Sequence, residues 1–318
     1  MKTYLGIDLG GTNVRVAKVT RDGIVLAEVK RPSLAQEGPR RVMDNMMEMI
    51  REIPGYTECE GIGVGVPGPV DTINGKMLMA TNLPGFELYP IAAELTQNFN
   101  MPAYVDNDAN VAGLAEALVG AGKGLPVVYY VTISTGIGGA LVVDGKVVSG
   151  KHGHAGEIAN IIIDRNREKI NHLNIGAVEN EASGVAITRK GRALFGDQIR
   201  HAGDVFDLAK QGNPQAQAVV DDMAYDLAVM FSVIAHVADP WMFVIGGGMM
   251  QSKDVFLDKV VANFKNLVHV PMRDTLFEVA KLEEPGICLL YTSLSSVNSK
   301  KIRSLKRPRV CAFASLTA

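Results

Sequence analysis

One pattern occurs twice in this chain, and it limits the fold more than any other feature. Tyr4-Leu5-Gly6-Ile7 is an apolar strand that runs into the glycine turn Asp8-Leu9-Gly10-Gly11-Thr12. Val14 to Val19 alternates as a strand, Arg21-Asp22-Gly23 makes a hairpin turn, and Ile24 to Val29 returns. About 125 residues later the order repeats. Val127 to Ile133 is the strand and Ser134-Thr135-Gly136-Ile137-Gly138-Gly139 the glycine turn. Ala140 to Val143, the turn Asp144-Gly145 and Lys146 to Ser149 complete it. A repeat of that length implies two duplicated domains facing each other.

The turns have a chemical meaning. A nucleotide triphosphate needs backbone N–H donors at close range, and glycine lets the backbone approach without a side-chain clash. Gly10 and Gly11 offer this in the first turn, with Thr12 adding a hydroxyl and Asn13 following. Gly136, Gly138 and Gly139 offer it in the second, beside Thr135. Asp8, at a strand end, has a carboxylate suited to hydrated magnesium. Neither turn is GxxxxGK[ST] or GxGxxG, and a strand follows the first where a P-loop has a helix. Those two nucleotide folds are disfavoured.

The remaining elements follow from periodicity. Val42, Met46, Met49, Ile50 and Ile53 fall at helical spacing within 39–53, a stripe for core packing. The buried strand Ile62 to Val66 ends in Pro67-Gly68-Pro69, and a short helix lies near 91–99. Strand Ala103 to Val105 delivers Asp106-Asn107-Asp108 to the start of an alanine-rich helix at about 109–120. Aspartate and asparagine there are common helix caps. A strand end feeding a helix is also where α/β proteins place ligand residues. A long helix spans Pro214 to Val237, with Val220, Met223, Leu227, Met230, Phe231 and Ile234 on its buried face, and Asp239-Pro240 stops it. Strand Met242 to Ile245 then enters Gly246-Gly247-Gly248.

Bulk properties narrow the function. With 318 residues there is enough chain for two packed domains, and the net charge of -2 gives no drive toward nucleic acid or membrane. Six bases lie after Ile287 and no acid follows Glu284, so the body is acidic and the tail basic. Residues 288–318 read as a disordered or frameshifted end rather than a basic interaction arm. Cys59, Cys288 and Cys311 form no CxxC pair, and no apolar run nears the roughly 18 residues of a membrane span. A cytoplasmic protein without nucleic-acid or membrane partners is expected.

The sequence resembles the ROK family of bacterial sugar kinases, within the actin/hexokinase-like ATPase superfamily. The likeness rests on Asp8-Leu9-Gly10-Gly11-Thr12, Gly65-Val66-Pro67-Gly68-Pro69, Asn82-Leu83-Pro84-Gly85-Phe86, Asp106-Asn107-Asp108-Ala109-Asn110, Ser134 to Gly139, Ala155-Gly156-Glu157-Ile158, Glu179 with Ala182-Ser183-Gly184, and Gly246-Gly247-Gly248. It implies a two-domain α/β fold of the ribonuclease H-like ATPase class, with a cleft between domains at 1–108 and 109–287. ATP, with Mg2+ near Asp8, would lie between the glycine turns, and Gly246, Gly247 and Gly248 would meet the adenosine. Asp108 would take the proton from a hexose 6-hydroxyl. Gly68, Asn82, Asn107, Asp108, Glu157, Asn160 and Glu179 would bracket the sugar. Glucose is the leading substrate, with fructose, mannose and N-acetylmannosamine as alternatives, and a homodimer is implied.

Two departures matter. The family usually holds a structural zinc with one histidine and three cysteines. The corresponding positions here are Asn160, Ile170, His172 and Ala177, and one ligand is too few for a closed tetrahedral site. No structural zinc is expected, and Ile163, Ile170, Leu173 and Ile175 are expected to pack that loop instead. His152 and His154 read as a solvated pair. The family's repressors place a DNA-binding domain before the kinase fold, whereas this chain reaches Asp8 at once. A sugar sensor without catalysis is the remaining alternative, and the presence of Asp8, Asn107 and Asp108 disfavours it.

Overall fold

The computed structural model describes residues 1–21, 23–80 and 83–282. In the first half, β1 (Thr3–Leu9), β2 (Asn13–Thr20) and β3 (Val25–Pro32) form an antiparallel meander. Helix α1 (Pro39–Glu52) leads to β4 (Ile62–Val66), which lies parallel to β1. A two-stranded ribbon, β5 (Val70–Asp71) and β6 (Lys76–Met77), and helix α2 (Ile91–Phe99) precede β7 (Ala103–Asn107), parallel to β4. The strand order is β3-β2-β1-β4-β7.

Helix α3 (Asp108–Leu118) carries the chain into the second half. There β8 (Val127–Ile133), β9 (Ile137–Val143) and β10 (Lys146–Val147) form the second meander. Helices α4 (Val178–Ala182), α5 (Gly184–Phe195), α6 (Ala202–Lys210) and α7 (Pro214–Ala238) follow. Strand β11 (Met242–Gly246), α8 (Lys253–Leu267) and β12 (Leu276–Val279) close the half, in the order β10-β9-β8-β11-β12. Strand senses match position by position, with two antiparallel pairs followed by two parallel ones. The duplication seen in the turns therefore extends through both sheets, including β7 and β12, which the repeat itself did not mark.

Helices bury one face of the first sheet and both faces of the second, where α3 lays Ala112 and Leu114 against Val128 and Ala140. Met46, Met49 and Ile50 of α1 sit against Ile7 and Val64, all without exposed surface. In the second half Met223, Leu227 and Phe231 of α7 pack on Phe243 and Ile245. Phe231, Phe264 and Phe277 close around Phe243, with Phe231–Phe243 centroids 4.9 Å apart. Truncating Phe243 to alanine costs about 3–5 kcal/mol. Helix α7 begins where Asn213 accepts hydrogen bonds from the Gln215 and Ala216 amides, ahead of Pro214. It ends at Asp239, whose φ of 41° leaves the helix.

Two boundaries differ from the sequence reading. The second turn is shorter, since β9 begins at Ile137 and takes Gly138 and Gly139 into the sheet, paired with Thr132 and Val131. The β8 register supplies partners that local glycine content cannot reveal. Strand β12 was not anticipated, because it is only four residues long and no glycine turn marks it.

Candidate active site

Three parallel strands of the first half, β1, β4 and β7, end side by side at the cleft. In the first half the register sets Asp8 beside Gly65, and Gly65 beside Asp106. Gly65 has no side chain, so the floor between Asp8 and the end of β7 stays open. The turn after β1 is braced from below. Gly10 N donates to Asn13 O at 2.9 Å, and buried Ser33 donates its hydroxyl to Gly11 O at 2.9 Å. Asp8, Gly10, Gly11, Thr12 and Asn13 line a cavity of about 350 Å³ with two residues the sequence reading missed, Arg15 and Lys30. Their signal was available, since Asp8, Arg15 and Lys30 are cross-strand neighbours on β1, β2 and β3.

At the end of β7 the structure separates capping from chemistry. Asn107 Oδ1 accepts from Asn110 N at 3.1 Å, so Asn107 caps α3, and its Nδ2 donates to Gly68 O at 3.0 Å. Gly68 is thereby fixed beside the cap. Asp106 accepts from Asn110 Nδ2 at 2.9 Å. Burial pushes the Asp106 carboxyl above its usual range, against the pull of that bond. Asp108, the first residue of the helix, has no part in the cap. Its carboxylate faces the cleft and accepts only the Ala109 amide, at 2.7 Å, among the described residues.

Asp108 has the most strongly marked environment in the site. Crowding by the cleft walls, and then the negative charges of Asp8 and Glu157, push its pKa up to about 6. The side chain keeps exposed surface at the open mouth, so water screens part of that shift. Glu157 is also raised, first by burial against the wall and then by Glu179, while His154 pulls it down. Asp8, Asp108, Glu157 and Glu179 therefore converge on one volume.

Glu179 has a second role. Its Oε2 accepts from Ile137 N at 2.8 Å, and a Cβ on Gly136 would lie 2.5 Å from that oxygen. A side chain at position 136 would therefore displace the Glu179 carboxylate from its bond to the turn. On the other wall, Ser134, Thr135 and Gly248 line a cavity of about 730 Å³ with Thr188, His201 and Met249. Gly247 has φ 94° and passes so close to the Ile133 carbonyl that no Cβ fits. Gly246 ends β11 against Tyr130, so of the three glycines Gly248 is the one that faces this cavity.

The loop expected to be closed by apolar packing in place of zinc is closed otherwise. Among the described residues no group of three or more His, Cys, Asp or Glu is placed to bind a metal. Ile163 packs on the second core, but Ile170 and Ile175 are 40% and 43% exposed, which corrects the expected apolar closure. Polar groups hold the loop. Asn160 Oδ1 accepts from Asn174 N at 2.7 Å, and Asn171 and Asn180 exchange bonds of 2.8 and 2.9 Å. Asn160, expected to meet sugar, also closes this loop through its Oδ1. Asn82 and the tail at 288–318 lie outside the described residues.

The sequence pattern of the ROK family matches residues 4–286. This chain belongs to the ROK family. A glucokinase of Halalkalibacterium halodurans is 31% identical over 281 residues, covering 82% of this chain and 85% of that protein. A ROK hexokinase from Thermus thermophilus superposes with a TM-score of 0.83 at 27% identity, covering 92% of this chain and 99% of that one. A ROK glucokinase from Streptomyces griseus, solved with glucose and AMPPNP, superposes at 0.75 with 25% identity, covering 92% and 98%. The ROK fold is the actin/hexokinase-like one, and the two matching sheets are its two halves. With these relatives, the chain is a ROK-family sugar kinase.

Proposed function

We propose that this ROK protein transfers the γ-phosphoryl group of ATP to the 6-hydroxyl of a hexose, with glucose the first choice. The observation that carries the reading is Asp108. It is a carboxylate released from capping by Asn107, facing the cleft, with its pKa raised to about 6 by crowding and by Asp8 and Glu157. Such a base is ionised near neutral pH yet accepts a proton more readily than an ordinary aspartate.

Asp108 takes the hydroxyl proton while the sugar oxygen forms its bond to the γ-phosphorus and ADP leaves. The transition state is loose, so alignment and neutralisation of charge carry most of the rate. The triphosphate spans from the Gly10–Asn13 turn to Ser134 and Thr135, and the adenosine occupies the larger cavity near Gly248. Lys30 and Arg15 add positive charge beside the first turn. Asp8, a hard oxygen donor beside the phosphate cavity, fits Mg2+, which supplies charge neutralisation when bound. Glu157 and Glu179 accept hydrogen bonds from vicinal sugar hydroxyls. The two domains divide after Asp108, at 1–108 and 109–287. No structural zinc takes part, because Asn160 and Ala177 cannot replace thiolate and imidazole donors.

The test is ADP release measured over a panel of hexoses, N-acetylhexosamines and their deoxy analogues. Glucose should give the highest kcat/KM, and analogues lacking the bracketed hydroxyls should fall by an order of magnitude or more. No ADP release with any sugar, in protein that binds both ligands, would convert the reading to a sensor. Metal analysis finding one zinc per chain would overturn the zinc-free loop.

A further inference from the structure

Between β10 and α4 the chain makes an excursion over residues 148–177, and Glu157 and Glu179 sit at its two sides. A short stem joins them. Glu179 N donates to Ala159 O at 3.1 Å, Val178 N to Ile161 O at 2.9 Å, and Ile163 N to Gly176 O at 2.9 Å. Ile162 and Ala177 form a bridge within it. This stem fixes how far apart the two carboxylates stand.

The loop beyond the stem has little apolar anchorage; the Asn171–Asn180 amide pair ties it to α4, and one cation ties it to α4 and α7 together. Arg167 reaches Asp164 at 3.1 Å in the loop itself, Glu181 of α4 at 3.4 Å, and Asp226 of α7 at 3.1 Å. Lys190 of α5 supports the same pair, 3.1 Å from Glu181 and 3.9 Å from Asp226. The side chains of Glu181 and Asp226 are 4% exposed. Buried carboxylates must be paired, so this network is a tight junction of loop, α4, α5 and α7. It holds three acids against two bases, and Asp226 Oδ2 receives no hydrogen bond among the described residues. Burial pushes the Asp226 pKa up to about 6 despite the pull of Arg167 and Lys190. An arrangement with such an excess of acid is a poor choice for stability alone.

Helix α4 transmits the constraint. It is five residues long and carries Glu179 and Glu181 two positions apart. Glu181 is gripped by Arg167 and Lys190, while Glu179 accepts the Ile137 amide of the phosphate turn. A displacement of the loop therefore moves the sugar-side carboxylate. We propose that Arg167 is a positioning residue for sugar recognition, pinning the stem and α4 so that Glu157 and Glu179 face one substrate together. The proposal rests on the sugar-kinase reading for its kinetic arm, and on the fold alone for its exchange arm.

Three variants test it: Arg167→Met, Arg167→Lys, and Arg167→Met with Asp226→Asn, which lowers the uncompensated buried charge. The expected result is that Arg167→Met raises sugar KM about tenfold or more with a smaller change in kcat. Arg167→Lys should recover part of that loss. The double variant should recover Tm while its sugar KM stays raised. Hydrogen exchange at the Ile163, Val178 and Glu179 amides should quicken in Arg167→Met and stay quick in the double variant. Sugar KM returning to the wild-type value together with Tm would reduce Arg167 to charge balance in the core and overturn the proposal. So would unchanged exchange at the stem in folded Arg167→Met. If the wild-type protein phosphorylates no sugar, the functional reading fails, and the exchange experiment still decides whether Arg167 pins the stem.

Discussion

The two glycine turns start from the same sequence pattern and end in different surroundings. In the first, a Cβ on Gly10 would meet only Asn13 O, at 3.3 Å, among the described residues. Ser33 braces that turn from within its own half. In the second, Gly136 is crowded by Glu179, a residue from outside the repeat. The halves also differ in what separates their third and fourth strands. The first half has one major helix there, and the second has a long excursion with four helices. Duplication thus supplied two like scaffolds, and the extra chain in the second tied its glycine turn to Glu179 of α4. On the proposed function, the first turn would grip phosphate alone, while the second would also answer to the sugar.

The largest effect belongs to the residue where the halves meet. Asp108→Asn should lower kcat by roughly 10²- to 10⁴-fold, with Tm and sugar affinity nearly unchanged, because Asn107 rather than Asp108 caps α3. Wild-type turnover in that variant would remove Asp108 from its role. Next comes the difference between the turns. Gly136→Ala drives a Cβ against the Glu179 carboxylate, and a misplacement near 1 Å costs about 100-fold in rate. Both ATP and sugar KM should rise. Gly10→Ala should raise the ATP value alone. Equal behaviour of the two variants toward sugar would erase the distinction.

The pH dependence separates the halves in a milder way. Asp108 works ionised, so kcat/KM should fall as pH drops through about 6, where its proton returns. Glu157, from the second half, contributes repulsion that raises this value. Glu157→Gln should therefore move the acid limb to lower pH. An unmoved limb would place the base elsewhere.

Much of this was legible in the sequence, for reasons that differ by element. Strand alternation and the two glycine-ended turns are local, so β1, β2, β8 and the repeat could be read directly. The methionine stripe on α1 and the face of α7 follow from helical period. The capping residues before α3 were visible too, although only the structure shows that Asn107 caps and Asp108 does not. What stayed hidden depends on distant pairing. Glu179 meets Ile137 across 42 residues, and Arg167 meets Asp226 across 59. Gly138 looked like part of a turn because nothing local reports that Thr132 lies opposite it. Ile170 and Ile175 looked like core because hydrophobicity does not reveal that asparagines already hold their loop.

The smallest prediction is also the most selective. Ser33 has 1% of its surface exposed, and its hydroxyl donates to Gly11 O on the underside of the first turn. Its backbone N donates to Thr12 O at 2.9 Å, so removing the side chain leaves one brace in place. Ser33→Ala deletes a single neutral hydrogen bond, about 0.5–1.5 kcal/mol. The Gly11 carbonyl loses its partner in a buried place, and the turn should loosen without unfolding. ATP KM should rise a few-fold, while sugar KM, the acid limb and kcat at saturating ATP stay as in the wild type. That outcome follows only if the first turn holds phosphate without any link to the sugar side. A matching rise in sugar KM would mean that the two turns move together, and the asymmetry between the halves would then belong to the sequence alone and not to the binding of ligands.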